Sequence, residues 1–64
     1  MSGGIIINRS EALLTAVTDP SIYDSLLAPI KVQVDAIKAK APADRTQEDV
    51  QTLARAIVSA VSSP

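Results

Sequence analysis

The side chains that could do chemistry in this chain are two adjacent carboxylates, Glu48 and Asp49, and a single aromatic residue, Tyr23. Paired carboxylates can share general acid–base work, and a tyrosine can donate a proton. Neighbouring residues on a helix, however, point about 100° apart, and acids in a first helical turn favour the helix dipole. The pattern therefore indicates a helix start at the carboxylates. Tyr23 falls on an apolar helix face, which is typical of a core or interface residue.

The residue types that most often catalyse reactions or hold metals are absent. The 64-residue sequence contains no His and no Cys, which removes the commonest general base, the thiolate nucleophile and the usual zinc ligands. None of its serines lies in a nucleophile elbow, and Gly3-Gly4 lacks the spacing and the lysine of a phosphate loop. We therefore expect a protein that is not an enzyme, with no cofactor, no metal and no small-molecule substrate.

Composition also limits how the chain can fold and what it can bind. Although 47% of the residues are hydrophobic, Phe and Trp are absent, so a core built from aliphatic side chains barely offsets the entropy of ordering such a short chain. Six basic and seven acidic residues give a net charge of −1, whereas nucleic-acid binding needs a basic stripe. No apolar run approaches the ~20 residues of a membrane span. We expect neither nucleic acid nor membrane as a partner.

The first residues favour extended backbone. Ile5, Ile6 and Ile7 are three consecutive β-branched residues that follow a pair of glycines. They predict an extended tail over residues 1–8. Two uses of this tail remain open: it adds to a sheet edge or groove of another chain, or it covers the ends of the chain's own helices.

Two capping signals follow the tail. Asn8 is a favoured N-cap residue, and Glu11 lies three residues later, at capping-box spacing. They predict a short helix over 9–18. Asp19-Pro20 then ends that helix and starts the next one, because the residue before a proline avoids the helical region and proline suits the first helical position.

The longest periodic pattern lies between residues 20 and 41. Apolar residues recur there at spacings of four and three, as in a heptad seam, at Tyr23, Leu27, Ile30, Val34, Ile37 and Ala41. We predict a helix over 20–40 that is kinked or broken at Pro29, since proline removes a helical hydrogen bond. Residues 30–36 also alternate as a half-buried strand does. We favour the helix, because the helical period extends on both sides and the chain offers no partner strand.

A last helix is predicted over 46–62, after a turn-prone stretch around Pro42. Thr46 and Asp49 have capping-box spacing, and an apolar stripe follows them. Together the elements predict an all-α protein: a short N-terminal helix plus an antiparallel helical hairpin, in one small helical domain over 9–64, preceded by the extended tail.

These features favour a non-enzymatic structural or assembly subunit of a larger protein complex. Its partners would be other protein subunits, homo- or hetero-oligomeric, that contribute part of its stability. By analogy of composition alone, the specific case is a small capsid or tail accessory protein of a bacteriophage virion. The alternative is a regulatory binding module, antitoxin-like or an adaptor, that acts on one protein target. The expected location is the cytoplasm or an assembled particle such as a virion.

The predicted partner-binding residues come from the tail and from the heptad seam. They are Ile5, Ile6, Ile7, Tyr23, Leu27, Ile30, Val34 and Ile37.

Overall fold

The computed structural model describes residues 2–62, with side chains from residue 4 onward. Within this range it contains helices and no strand, which confirms the all-α fold class. The helices are α1 (Ser2–Val17), α2 (Pro20–Tyr23), α3 (Ala28–Ala39) and α4 (Gln47–Ser62), with a 3-10 turn at Pro42–Asp44. Met1 of the predicted tail and residues 63–64 of the predicted helical domain lie outside the described residues.

The extended tail predicted over 1–8 is wrong over residues 2–8. This segment is the first half of α1, which continues without a break to Val17. Asn8 is consequently an interior helix residue and not an N-cap. Ile6 and Ile7 are half-buried, and burying aliphatic surface at ~25 cal/mol per Å² outweighs the few tenths of a kcal/mol that a β-branched residue loses in a helix.

The helix predicted over 20–40 is broken, but the break precedes Pro29. The short α2 begins after Asp19, whose carboxylate accepts a hydrogen bond from the Ser21 amide at 2.9 Å. It ends at Tyr23, and α3 starts after Leu27. Pro29 therefore lies in the first turn of α3, where its missing amide hydrogen costs nothing. Residues 30–36 are helical, as favoured over a strand.

The start of α4 is the predicted capping box. The Thr46 amide donates to Asp49 Oδ2 at 3.0 Å, and the Asp49 amide donates to Thr46 Oγ1 at 3.3 Å. Lys40 Nζ lies 2.8 Å from the same carboxylate oxygen. The pKa of Asp49 is lowered from its ordinary value, chiefly by the hydrogen bond from Lys40 and then by the Thr46 amide. The Asp49 carboxylate thus caps the N-terminus of α4 and joins it to the end of α3.

The helices pack as an elongated bundle, 39 × 18 × 17 Å. The most extensive packing is between α1 and α4, and not between α3 and α4, the two helices of the predicted hairpin. Against α4, α3 runs in the opposite direction, since Lys40 meets Asp49 at one end while Ile30 and Ser59 line one cleft at the other. The core side chains are aliphatic and come from every helix except α2, with one from the α2–α3 connection: Leu14, Val17, Leu26, Val34, Ile37, Leu53 and Ala56.

Arg45 is the one charged residue buried within the described part of the chain, with 8% of its surface exposed. Its Nε donates to the Ile37 carbonyl at 3.2 Å, and its Nη1 lies 3.3 Å from Ser10 Oγ and 3.2 Å from Glu11 Oε1. Its Nη2 reaches the carbonyls of Lys38 and Lys40. The guanidinium therefore donates to three carbonyls at the end of α3 and joins them to α1.

We expect Arg45→Ala to lower the free energy of unfolding by about 2–3 kcal/mol, because it removes the buried hydrogen bonds from Arg45 to Ile37 and Ser10 together with those to the last carbonyls of α3. A core of this size supplies only roughly 3–5 kcal/mol, so much of the chain should unfold. Urea titration followed by circular dichroism measures the effect. Arg55→Ala, which removes an exposed arginine from α4, is the matched control and should change stability little. Equal stability of the two variants would contradict the structural role of Arg45.

A second substitution tests the helical state of residues 2–7. Gly4 lies inside α1, and a Cβ built there meets nothing within 4 Å. Gly4→Ala should therefore raise both the helical signal and the free energy of unfolding, the latter by about 0.4–1 kcal/mol. Thermal unfolding followed at the helical circular dichroism band is the measurement. An unchanged helical signal would favour the extended tail instead.

Candidate functional site

A groove with a volume of about 490 Å³ lies between the first halves of α1 and α4. The two helices lie side by side and run in the same direction there. The groove is lined by Ile5, Ile6 and Arg9 from α1 and by Gln47, Val50, Gln51 and Ala54 from α4. We refer to these seven residues as the α1–α4 groove.

Helical periodicity explains why these residues share one surface. On α4 the lining positions 47, 50, 51 and 54 are spaced by three and four residues, which is the spacing of one helix face. On α1, Ile5 and Arg9 are one turn apart. Because α1 begins at Ser2 and not after Asn8, Ile5 is helical and shares a face with Arg9.

The floor of the groove is apolar and open to solvent. Ile5 is 58% exposed, while Ile6, Val50 and Ala54 are half-buried. The apolar face of α4 continues beyond the groove through Val58 and Val61, which are 62% and 69% exposed. Residues 54, 58 and 61 are spaced by four and three, so they extend the same stripe. The arrangement is that of a surface that can receive an apolar helix face.

The rim of the groove is polar and carries one positive charge. Arg9, Gln47 and Gln51 are exposed. Among the side chains described from residue 4 to residue 62, none forms an ion pair with Arg9, and the groove lining includes no carboxylate. The guanidinium and the two carboxamides are hydrogen-bonding groups that a bound molecule can use.

The structure does not bring the predicted partner-binding residues together on one surface. Ile5 and Ile6 lie in the groove, whereas Ile7 is half-buried and outside its lining. Leu27 is 67% exposed, between α2 and α3. Tyr23 and Ile30 are half-buried and pack against the core, and Val34 and Ile37 belong to it.

The assignment of Val34 and Ile37 to a partner surface is therefore corrected. They are 0% and 4% exposed, and in this fold their side chains meet the chain's own helices. A heptad seam indicates a face that must be buried, but it does not say whether the cover comes from the same chain or from another. Here the cover is intramolecular.

Sequence reasoning missed most of the groove. Its α4 side was assigned to a helical stripe, but that stripe widens into two faces: Leu53 lies on the buried face, while the half-buried Ala54 and the exposed Val58 lie on the other. The signal available was the run of positions 47, 51, 54, 58 and 61, which share a face without a charged residue. Arg9 could not be assigned to a groove, because its α1 neighbours there, Ile5 and Ile6, were predicted to lie in an extended tail.

Tyr23 belongs to a separate polar cluster on the outside of α2 and α3. Its hydroxyl donates to the Asp35 carboxylate, whose oxygens lie at 2.9 and 3.0 Å, and Lys31 Nζ lies 5.4 Å from the ring centroid. This hydrogen bond raises the pKa of Tyr23 above its ordinary value, ahead of burial and of the negative charges of Asp35 and Asp24. The tyrosine thus holds α2 on α3, while its ring covers the core.

Other kinds of site find little support in the described range. Within residues 2–62, Asp and Glu side chains nowhere gather in a group of three or more that could hold a metal ion. Over the same residues, none of the helices has the length and apolar character that crossing a bilayer requires.

No protein-family model matches the chain, and neither a curated protein nor a solved structure matches it. A proposal for its function therefore rests on the groove.

The single tyrosine makes its hydrogen bond directly measurable. We expect Tyr23 to titrate above pH 10.0 in the folded chain, and Asp35→Asn to lower the midpoint towards that value. Because the folded state holds this proton more tightly than the unfolded state, its stabilising contribution is present below the ordinary pKa and is lost as pH rises through the folded pKa.

Ultraviolet absorbance of tyrosinate follows the titration in each variant. Asp24→Asn is the control, and should lower the midpoint less, because Asp24 acts on Tyr23 through charge alone. An identical midpoint in wild type and in Asp35→Asn would contradict the hydrogen bond.

Proposed function

We propose that the chain is a non-enzymatic interaction subunit of a larger protein complex, and that the α1–α4 groove receives a helical segment of another subunit. The observation that carries this proposal is the groove itself: apolar side chains that the fold leaves open, between two helices that run in parallel. Ile5, Val58 and Val61 are each more than half exposed. An apolar surface of this kind, with a polar rim, is typical of a protein-binding site.

The geometry fits helix-in-groove recognition. An amphipathic helix places apolar side chains at spacings of three and four, which suit a groove between two neighbouring helices. Between Gln47 and Val61, α4 extends about 21 Å at ~1.5 Å per residue. A segment of about four helical turns would cover the stripe and add a fourth long helix to the bundle.

A second candidate, a regulatory binding module, is favoured by a different observation. The core closes within one chain, and over residues 4–62 every buried polar side-chain atom has a hydrogen-bond partner. A chain that satisfies its own interior can fold before it meets its target. The two candidates share the groove and differ in stoichiometry: many copies in an assembly, or one copy on one target.

We expect an Ile5→Ser/Val58→Ser double variant to keep its helical content but to leave its complex. Both side chains are exposed in the free chain, so their loss should cost little stability, whereas it removes apolar area from the groove at Ile5 and from the α4 stripe that continues the groove at Val58. Size-exclusion chromatography of extracts from the encoding cells, with the chain followed by an epitope tag, measures the change. Wild type should elute at high mass and the double variant as a monomer.

Val32→Ser is the matched control for this experiment. Val32 is a β-branched residue, 67% exposed, on α3 and outside the groove, so this variant should elute with wild type. Copy number in the high-mass fraction separates an assembly from a single-target module. The proposal fails if wild type is monomeric in its own extract, or if the double variant stays in the complex.

A further inference from the structure

Arg9 is the charged residue of the α1–α4 groove. It is exposed on α1, and its guanidinium lies beside an apolar floor formed by Ile5, Val50 and Ala54. Covering this floor would remove water from the guanidinium. A positive charge that loses water is best compensated by a paired counter-ion, so a partner that brings an acid to Arg9 is favoured over one that does not.

The groove lining does not supply that group, since no Asp or Glu is among its residues; Glu48, which follows Gln47, lies outside it. Two other acids of α1 and α4 are engaged elsewhere: Glu11 pairs with Arg45 at 3.2 Å, and Asp49 pairs with Lys40 at 2.8 Å. Both contacts hold the fold together. Recruiting either acid to Arg9 would break them.

A second copy of the chain is a poor occupant for the same reason. In a two-fold dimer that packs groove on groove, each groove meets an identical surface. Since the described lining contains Arg9 and no carboxylate, such a dimer would enclose two guanidinium groups and no negative charge. The charge of the groove therefore favours a different protein.

We infer that the α1–α4 groove binds an acidic amphipathic helix of a different protein, with a carboxylate on its apolar face that pairs with Arg9. This inference rests on the proposed function of the groove and specifies its partner. The partner's apolar residues cover Ile5, Val50 and Ala54. Its carboxylate accepts hydrogen bonds from the guanidinium, with Gln47 and Gln51 on the opposite rim as further hydrogen-bonding groups.

The test uses the full chain and three synthetic helical peptides of about 18 residues, long enough to follow the groove and the stripe beyond it. The peptides share one apolar stripe and differ at one central groove-facing position, which is Glu, Gln or Lys. Fluorescence anisotropy measures each dissociation constant at low and at high salt. We expect wild type to bind the Glu peptide about five- to tenfold more tightly than the Gln peptide, and the difference to shrink as salt rises.

Charge exchange at Arg9 provides the decisive comparison. Arg9→Gln should remove the preference for the Glu peptide, and Arg9→Glu should transfer it to the Lys peptide. Arg55→Glu makes the same charge change on another face of α4, where Arg55 lines a different cleft, and should leave the preference as in wild type. Circular dichroism of each variant checks that it is folded.

The remaining outcomes overturn either this inference alone or the proposed function as well. If wild type binds Glu and Gln peptides equally, and Ile5→Ser weakens both, the groove binds helices without selecting an acid. If no peptide binds, both proposals fail. If sedimentation shows a dimer of the chain that Ile5→Ser dissociates, the occupant is a second copy and the inference of an acidic partner is wrong.

Discussion

The fold depends on the buried guanidinium of Arg45. In a chain with almost no aromatic side chains, a planar group of this size takes a place that a ring usually fills, and it also provides donors that a ring lacks. Those donors meet the carbonyl groups at the end of α3, the buried hydroxyl of Ser10 and the carboxylate of Glu11. Three helices are thereby joined through one side chain that lies just before α4.

The same contact sets the geometry of the groove. Arg45 holds Ser10 at the interior, and Ser10 in turn donates to the Ile7 carbonyl at 2.9 Å. Neighbouring helix residues point about 100° apart, so fixing Ser10 inward directs Arg9 towards the outer surface. The start of α4 follows Arg45 directly. One buried contact therefore places both walls of the groove, although it lies outside the groove lining.

Local sequence motifs were sufficient to predict a helix start where the structure depends on one contact between residues close in sequence. Asp19-Pro20 predicted the start of α2, and Thr46 with Asp49 predicted the start of α4, because both motifs act within three residues. The prediction of an extended tail for the N-terminal residues was wrong, because the preference of β-branched residues for extended backbone is worth less free energy than the apolar surface that α1 buries against α4. The groove and the role of Arg45 could not be predicted, since they depend on which helices meet, and helical periodicity describes one helix at a time.

Binding of a partner at the proposed groove would also stabilise the folded chain. The core is small and aliphatic, and a further stripe of apolar residues, from Ile5 on α1 to Val61 on α4, remains open. A partner that binds only the folded chain stabilises it by about 2.7 kcal/mol at a concentration one hundred times its dissociation constant. That is comparable to the roughly 3–5 kcal/mol that a core of this size provides. A chain that buried this apolar stripe within its own fold would need more residues. A chain that leaves the stripe exposed can instead gain free energy of unfolding from a partner that covers it.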